Sequence, residues 1–67
     1  MNVTKSEQKQ IDRARVMGRG ALMKTLAILH RAGSKRTQNA IDLAIESANA
    51  WDDFKWINGA LIHISEA

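Results

Sequence analysis

Basic side chains are concentrated near the middle of the chain, in residues 31–37. Arg31 lies before the pair Gly33-Ser34, and Lys35 and Arg36 lie directly after it. If this pair separates two helices, the free backbone N–H groups and the positive dipole end of the second helix point outward beside the cations. This arrangement is typical of a site for phosphate or another anion. The alternative is a solvated turn in which Arg31 interacts with the C-terminal dipole of the first helix.

The other ionisable side chains show no pattern for catalysis or metal binding. His30 and His63 are expected at opposite ends of the fold and the chain has no cysteine, so no zinc site within one chain is predicted. Asp52 and Asp53 are adjacent and would point about 100° apart on a helix, whereas acid–base catalysis requires carboxylates that face each other. We therefore predict a protein that is not an enzyme and needs no metal or cofactor.

Charge is distributed unequally between the two halves of the chain. Residues 1–36 carry nine Lys and Arg against two acids, and residues 37–67 carry one lysine against five acids. The halves therefore carry +7 and −4, which together make the net charge of +3. This polarity predicts that the two halves attract each other along an antiparallel fold. The alternative is a basic face that binds phosphates.

The elements that would position these side chains are predicted to be helices. Thr4 and Glu7 match a capping box, which begins a helix near residue 5. Apolar residues then recur at helical spacing through the first half, so this helix is predicted over about residues 5–32. Gly18 and Gly20 lie inside it, and each costs about 1 kcal/mol relative to alanine. A break at these glycines, giving three or four helices in all, therefore stays open.

The second half predicts one further helix, over about residues 35–64. Gly33 suits a left-handed C-cap and Ser34 an N-cap, which places a turn at residues 33–34. We therefore predict an all-α fold, a single domain of residues 1–67 that forms an antiparallel two-helix hairpin. A chain this short buries only about 60% of its unfolded surface, so the hairpin is expected to assemble with copies of itself into an oligomeric helical bundle.

The aromatic residues are assigned by packing in this hairpin. Trp51 is predicted to lie opposite Gly18, which would give the indole room between the helices. The alternative for Gly18-Arg19-Gly20, a phosphate-binding loop, lacks the longer glycine spacing of such loops. Ile45 and Trp56 fall outside the main apolar arc, so Trp56 is left for a subunit interface or for stacking on a base. The residues predicted to pack the core and the oligomer are Gly18, Ile45, Ala48, Trp51, Phe54 and Trp56.

A spaced set of residues begins at the predicted turn and continues into the helix after it. It consists of a small turn residue, an arginine, eight further residues and an aliphatic-Glu-x-Ala-x-x-Trp run, at Ser34, Arg36, Ile45, Glu46, Ala48 and Trp51. This pattern resembles the helical-hairpin family of phage anti-CBASS proteins, small oligomers that sequester the cyclic nucleotide signals of bacterial defence. The resemblance covers about residues 23–54. Two features depart from it, because Asp53 stands where asparagine is usual and no aromatic residue precedes Trp51 to enclose a ligand.

The resemblance implies a role for the cations around the turn. Arg36 would contact the phosphate or base of a cyclic di- or trinucleotide, with Lys35 beside it. The contacts that the family's N-terminal aromatic segment makes with the ligand would either be missing from this chain or be replaced by contacts from Lys24 and Arg31. The site would be completed between subunits of the oligomer.

Our leading functional hypothesis is therefore a small, non-enzymatic, phage-type protein that sequesters cyclic oligonucleotides in a homo-oligomer and so serves immune evasion. One alternative is a nucleic-acid-binding hairpin dimer, similar in outline to the plasmid regulator Rop. Its phosphate contacts would come from Lys5, Lys9, Arg13, Arg15, Arg19 and Lys24. Another alternative is an inhibitor of a host protein that acts through the edge formed by Ile45 and Trp56. No secretion signal or membrane-spanning run is recognised, so a cytoplasmic location and no membrane partner are expected.

Overall fold

The structure is a computed structural model that describes residues 2–67, which form three α-helices followed by a β-hairpin. The helices are α1 (Lys5–Val16), α2 (Arg19–Ala32) and α3 (Lys35–Ser47), and the strands are β1 (Phe54–Ile57) and β2 (Ala60–His63). Short 3-10 helices at Trp51–Asp53 and Ile64–Glu66 flank the hairpin. The predicted all-α two-helix hairpin is therefore wrong, because both of its helices are interrupted.

The starts of α1 and α3 agree with the caps predicted from the sequence. The backbone N–H of Glu7 donates to Thr4 Oγ1 and the Glu7 carboxylate accepts from the backbone N–H of Thr4, which completes the capping box. Ser34 Oγ accepts from the backbone N–H of Thr37 at the start of α3. The left-handed C-cap predicted at Gly33 is wrong, because this residue has φ −87° and ψ 169°.

The first predicted helix divides at Gly18. This residue has φ 111°, a conformation that side chains other than glycine rarely adopt, and it precedes the first turn of α2. A Cβ atom added to Gly18 would have no other residue within 4 Å, so Gly18 does not pack against Trp51 as predicted. Its function is to allow the chain to reverse between α1 and α2.

The second predicted helix ends at Ser47, well before residue 64. Asn49 then takes a left-handed conformation with φ 53°, which asparagine tolerates better than most residues. The next residue, Ala50, is buried and donates its backbone N–H to the carbonyl oxygen of Ile45 at 3.1 Å. The chain thereby leaves the helix axis while a small side chain fills the core.

Strands β1 and β2 form an antiparallel hairpin within the segment that was predicted to be helical. Their register pairs Phe54 with His63 and Trp56 with Leu61. The two-residue loop Asn58-Gly59 has φ 52° and 79°, the positive values that a type I′ turn requires. Phe54, Leu61 and His63 are buried, so one face of the hairpin covers the helices.

Helix α2 lies at the centre of the fold and contacts α1, α3 and β2. The largest fully buried side chains come from all of these elements and are Ile11, Leu26, Ile41, Ile45 and Leu61. The rest of the core cluster consists of Met23, Ala27, Leu29, Ala50 and Phe54. Because each element contributes to one cluster around α2, the hairpin is an integral part of the core.

The unequal charge of the two halves is expressed in ion pairs that link them. Arg19 at the start of α2 lies 3.7 Å from Asp53, and Arg31 at its end lies 3.3 Å from Glu66. Arg31 also donates to the backbone carbonyl of Leu61 at 3.0 Å. The basic first half therefore attracts the acidic second half, although through the hairpin region and not along two long helices.

Candidate functional site

The N-termini of α1 and α3 lie side by side. Thr37 Oγ1, in the first turn of α3, donates to Glu7 Oε1, in the first turn of α1, at 2.9 Å. Arg36 donates to the side-chain oxygen of Asn2, just before α1, at 3.3 Å. Two helix ends with positive dipoles therefore meet at one end of the molecule. We call this end, with its exposed residues Lys5, Lys9, Lys35, Arg36 and Asn39, the basic end.

The carboxylate of Glu7 already occupies part of the anion site predicted at the turn. Its Oε1 accepts from the backbone N–H of Thr4 at 2.8 Å as well as from Thr37. The backbone hydrogen bond from Thr4 lowers the pKa of Glu7 below its ordinary value of 4.5, more strongly than burial raises it, and the hydroxyl of Thr37 lowers it further. This carboxylate is therefore a built-in anion that joins the two helix starts.

Removing the negative charge in the variant Glu7→Gln is expected to destabilise the protein by about 1 kcal/mol at pH 7, a typical cost of losing a helix cap. The folded state holds the carboxyl at a lowered pKa, so its contribution is full above pH 4.5 and is lost as the pH falls through the lowered value. The difference in unfolding free energy between wild type and Glu7→Gln should therefore shrink below about pH 4. Urea denaturation from about pH 7 to pH 3 measures this.

The matched control for this prediction is Asp52→Asn. Asp52 is exposed, and its carboxylate has no hydrogen bond or ion pair in residues 2–67. Its substitution should change the unfolding free energy little at any pH in the range. A pH-independent difference between wild type and Glu7→Gln would contradict the role assigned to this carboxylate.

The four cations predicted to bind ligand do not lie together. Lys35 and Arg36 are both exposed in the first turn of α3. Arg31 points away from them, because its guanidinium binds the Leu61 carbonyl and Glu66. Lys24 is exposed two helical turns before Arg31 along α2. The structure thus brings together two of the four predicted ligand-binding residues.

A shallow pocket of about 240 Å³ lies between the starts of α1 and α3. Arg36 contributes a cation to it, and the capping residues of both helices form its walls. The lining consists of Asn2, Val3, Thr4, Ser34, Arg36 and Thr37. Small-molecule sites are typically about 300–1,000 Å³, so one chain offers only part of a nucleotide-sized site.

The residues predicted to pack the core and the oligomer have divided roles. Ile45 and Phe54 are buried in the core of the single chain, and Trp51 packs against that core. Ala48 is exposed at the end of α3. Trp56 is 57% exposed. The predicted edge of Ile45 and Trp56 is therefore not a continuous surface, because helix α3 turns Ile45 fully inward.

The aromatic residues form a connected cluster beside α3. Trp51 and Trp56 are stacked with ring centroids 6.3 Å apart, and His30 meets Trp56 edge-on at 5.6 Å. Trp51 Nε1 donates to Glu46 at 2.6 Å, and His30 Nε2 lies 3.0 Å from Asp42 Oδ1. Trp51 is thus bound directly to a carboxylate of α3, and Trp56 is connected to α3 only through its ring contacts with Trp51 and His30.

The described part of the chain contains no group of three or more His, Cys, Asp or Glu side chains that could hold a metal ion. His30 and His63 each pack against an aromatic ring, Trp56 and Phe54 respectively. None of the helices in residues 2–67 is both long enough and apolar enough to span a membrane.

Two features of the site were not found from the sequence. Asn39 is exposed one helical turn after Lys35 and shares its face of α3. The closeness of the α1 and α3 starts depends on the break at Gly18, which the periodicity left open.

Comparison of the chain with models of known protein families, with curated proteins and with solved structures gives no match.

Proposed function

We propose that this protein binds nucleic acid through the basic end, with α3 placed in a groove. The observation that carries the proposal is the outer face of α3, where Lys35, Arg36 and Asn39 are exposed directly after a two-residue turn. In helix-turn-helix proteins, the second of two successive helices likewise exposes its outer face and lies in the major groove of the duplex. The turn here is shorter than the usual three or four residues, so the analogy concerns the arrangement of the helices alone.

The side chains on this face have the chemistry needed to contact a duplex. Lysine and arginine bind phosphates and the acceptor edge of guanine, and asparagine can pair with adenine. No carboxylate in residues 2–67 forms an ion pair with Lys35 or Arg36. The next turn of α3 brings Leu43, which is 70% exposed, to the same face. An apolar side chain here could contact a thymine methyl group.

Helix α1 supplies cations for the phosphate backbone. Lys5 and Lys9 are exposed and follow each other by one helical turn on the face opposite buried Ile11. The nearest acid in α1, Glu7, holds its carboxylate against Thr4 and Thr37 at this end, so the surrounding cations must outweigh one fixed negative charge. Contacts from two helix starts and their lysines would hold α3 in register on the duplex.

The acids of the chain lie mainly away from the basic end. Glu46 is in the last turn of α3, and Asp52 and Asp53 follow it. Glu46 therefore lies at the opposite end of α3 from Lys35, about 16 Å along the helix axis. The molecule is therefore polarised, which would orient it towards a polyanion.

The proposal is tested by fluorescence anisotropy with labelled duplex DNA, duplex RNA and single-stranded DNA at several salt concentrations. We expect binding to a duplex in the range of about 10⁻⁶–10⁻⁴ M that weakens steeply as salt rises. The variant Arg36→Ala should lower duplex affinity about 5–10-fold and reduce the salt slope by about 1, because one phosphate contact is lost.

The matched control is Lys24→Ala, which removes the same charge from an exposed position on α2. It should leave duplex affinity nearly unchanged if binding is confined to the basic end. Equal losses in Arg36→Ala and Lys24→Ala would contradict the assigned face, and the absence of salt-dependent binding to any duplex would contradict the function.

A second candidate is the sequestration of a cyclic di- or trinucleotide in the cytoplasm of a phage host. What favours it is the 240 Å³ pocket with Arg36 at its wall, together with the sequence resemblance at Ser34 and Arg36. Because the pocket is small, a second copy would have to complete it. Calorimetric titration with cyclic dinucleotides and trinucleotides separates the candidates. Saturable binding that is lost in Arg36→Ala, without duplex binding, would favour this second function.

A further inference from the structure

We propose that this protein associates with copies of itself by inserting Trp56 of one copy into a pocket between α1 and α2 of another. The inference is independent of the proposed nucleic-acid function. The pocket has a volume of about 200 Å³ and is called here the α1–α2 pocket. It is lined by Gln10, Arg13, Ala14, Met17 and Thr25.

Trp56 is an exposed aromatic side chain whose position is already fixed. Its ring stacks on Trp51 and meets His30 edge-on, and these two residues are held by Glu46 and Asp42 through the contacts described above. The side chain remains 57% exposed. Burial of a fixed indole loses little conformational entropy, which is why tryptophan is enriched among residues that dominate binding energy.

The α1–α2 pocket offers an indole the contacts that it prefers. Ala14 is buried at the pocket, Met17 is 74% exposed, and the methyl-bearing side chain of Thr25 also lines it. A thioether and a methyl-bearing rim provide an apolar contact for an aromatic ring. The guanidinium of Arg13 lines the same pocket and has no ion pair in the described residues, so it is available for a cation–π contact with the ring.

The surroundings of the indole and of the pocket carry opposite charges. Glu46 binds Trp51, and Asp52 follows Trp51 directly, so the stacked indoles have acidic neighbours. Arg13, in the last turn of α1, lines the pocket, while the next arginine, Arg15, is paired with Asp12 at 3.5 Å and adds no net charge. Docking would therefore place an aromatic and acidic surface on an aliphatic and basic one. This complementarity favours a second copy of the chain as the occupant.

The indole and the pocket lie on different elements, so every copy carries one of each. Two copies can exchange both contacts in a closed dimer, or successive copies can join head to tail. In either case one variant that lacks the indole and another that lacks the pocket still share one intact contact. This property allows the proposal to be tested by mixing.

The experiment measures mass by light scattering and by sedimentation equilibrium over a range of protein concentrations. Wild type should show a mass that rises with concentration, and Trp56→Ala and Met17→Glu should each weaken association at least tenfold. An equimolar mixture of the two variants should recover a one-to-one pair. The control Leu43→Ala removes an exposed apolar side chain from α3 and should associate like wild type.

Circular dichroism establishes that each variant is folded. If Trp56→Ala is not folded, Asp52→Lys at an exposed position replaces it as the variant on the indole side. Wild type that stays monomeric at all concentrations, variants that associate like wild type, or a mixture that fails to form the pair would each overturn the proposal. Trp56→Ala and Met17→Glu should retain duplex binding, because neither residue belongs to the basic end or to the exposed face of α3.

Discussion

Replacing Leu61 by alanine is expected to lower the free energy of unfolding by about 2–5 kcal/mol. Leu61 lies on β2, is fully buried, and belongs to the core cluster around α2. Its backbone carbonyl also accepts a hydrogen bond from Arg31, which fixes the strand against α2. A domain of this length has a total stability of roughly 3–10 kcal/mol, so the variant should lose a large fraction of the stability of the wild type.

Urea denaturation, followed by circular dichroism and by tryptophan fluorescence, measures the effect of Leu61→Ala. The matched control is Leu43→Ala, because Leu43 is 70% exposed and its truncation should change stability by no more than about 0.5 kcal/mol. Circular dichroism reports mainly on the three α-helices, and fluorescence reports on Trp51 and Trp56. If the hairpin is part of the core, the two signals should change at the same urea concentration. Equal stability of the two variants would show that the hairpin does not contribute to the core.

The second large effect is expected at the turn between α2 and α3, where Gly33→Ala should destabilise the fold by about 1–3 kcal/mol. A Cβ atom at Gly33 would lie 2.6 Å from Thr37 Cγ2 and 2.7 Å from the carbonyl oxygen of Leu29. That carbonyl cannot move freely, because it accepts the backbone N–H of Gly33 at 2.8 Å. The cost arises from contact and not from backbone conformation, since φ is −87°.

Gly20→Ala is the matched control for Gly33→Ala, and its expected effect has the opposite sign. Gly20 lies inside α2, and a Cβ atom there would have no other residue within 4 Å. Alanine at such a position should stabilise the helix by about 0.5–1 kcal/mol. Thermal and urea denaturation measure the stability of both variants. If Gly33→Ala were as stable as Gly20→Ala, the predicted clash at the turn would be contradicted.

Gly33→Ala also provides a check on the proposed site. The clash with Thr37 would move the start of α3, which carries Lys35 and Arg36. Duplex affinity measured where the variant is still folded should therefore fall, while Gly20→Ala should bind like wild type. A loss of stability without a loss of affinity would indicate that the start of α3 is not the binding surface.

Fold prediction from the sequence succeeded at the starts of α1 and α3 and at the end of α2, and it failed at the end of α1, the start of α2 and the end of α3. The capping box of Thr4 and Glu7 and the cap at Ser34 are satisfied by atoms within three residues, so local sequence is sufficient to identify them. The sequence does not decide whether the first helix breaks at Gly18, because the apolar residues of α1 and α2 keep one helical phase across it. A continuous phase does not distinguish one long helix from two that fold back on each other.

The hairpin was missed because two patterns coincide in the same residues. Asn58-Gly59 between short apolar segments is a strong signal for a type I′ hairpin, yet Phe54, Leu61 and Ile62 also fit a helical arc. Short apolar segments are ambiguous between strand and helix by periodicity alone. The strands are favoured because they bury Phe54 and Leu61 against α2. A local sequence pattern carries no information about this burial.

The sequence by itself determined the starts of α1 and α3, the opposite charges of the two halves and the concentration of cations around residues 31–37. Only the tertiary structure decided that Glu7 joins the starts of α1 and α3, that Arg31 binds the hairpin, and that Trp56 stays exposed. The physical reason is the separation along the chain between the residues that interact. Caps and net charge depend on neighbours along the chain, whereas the partner of each side chain depends on how separate elements pack around α2.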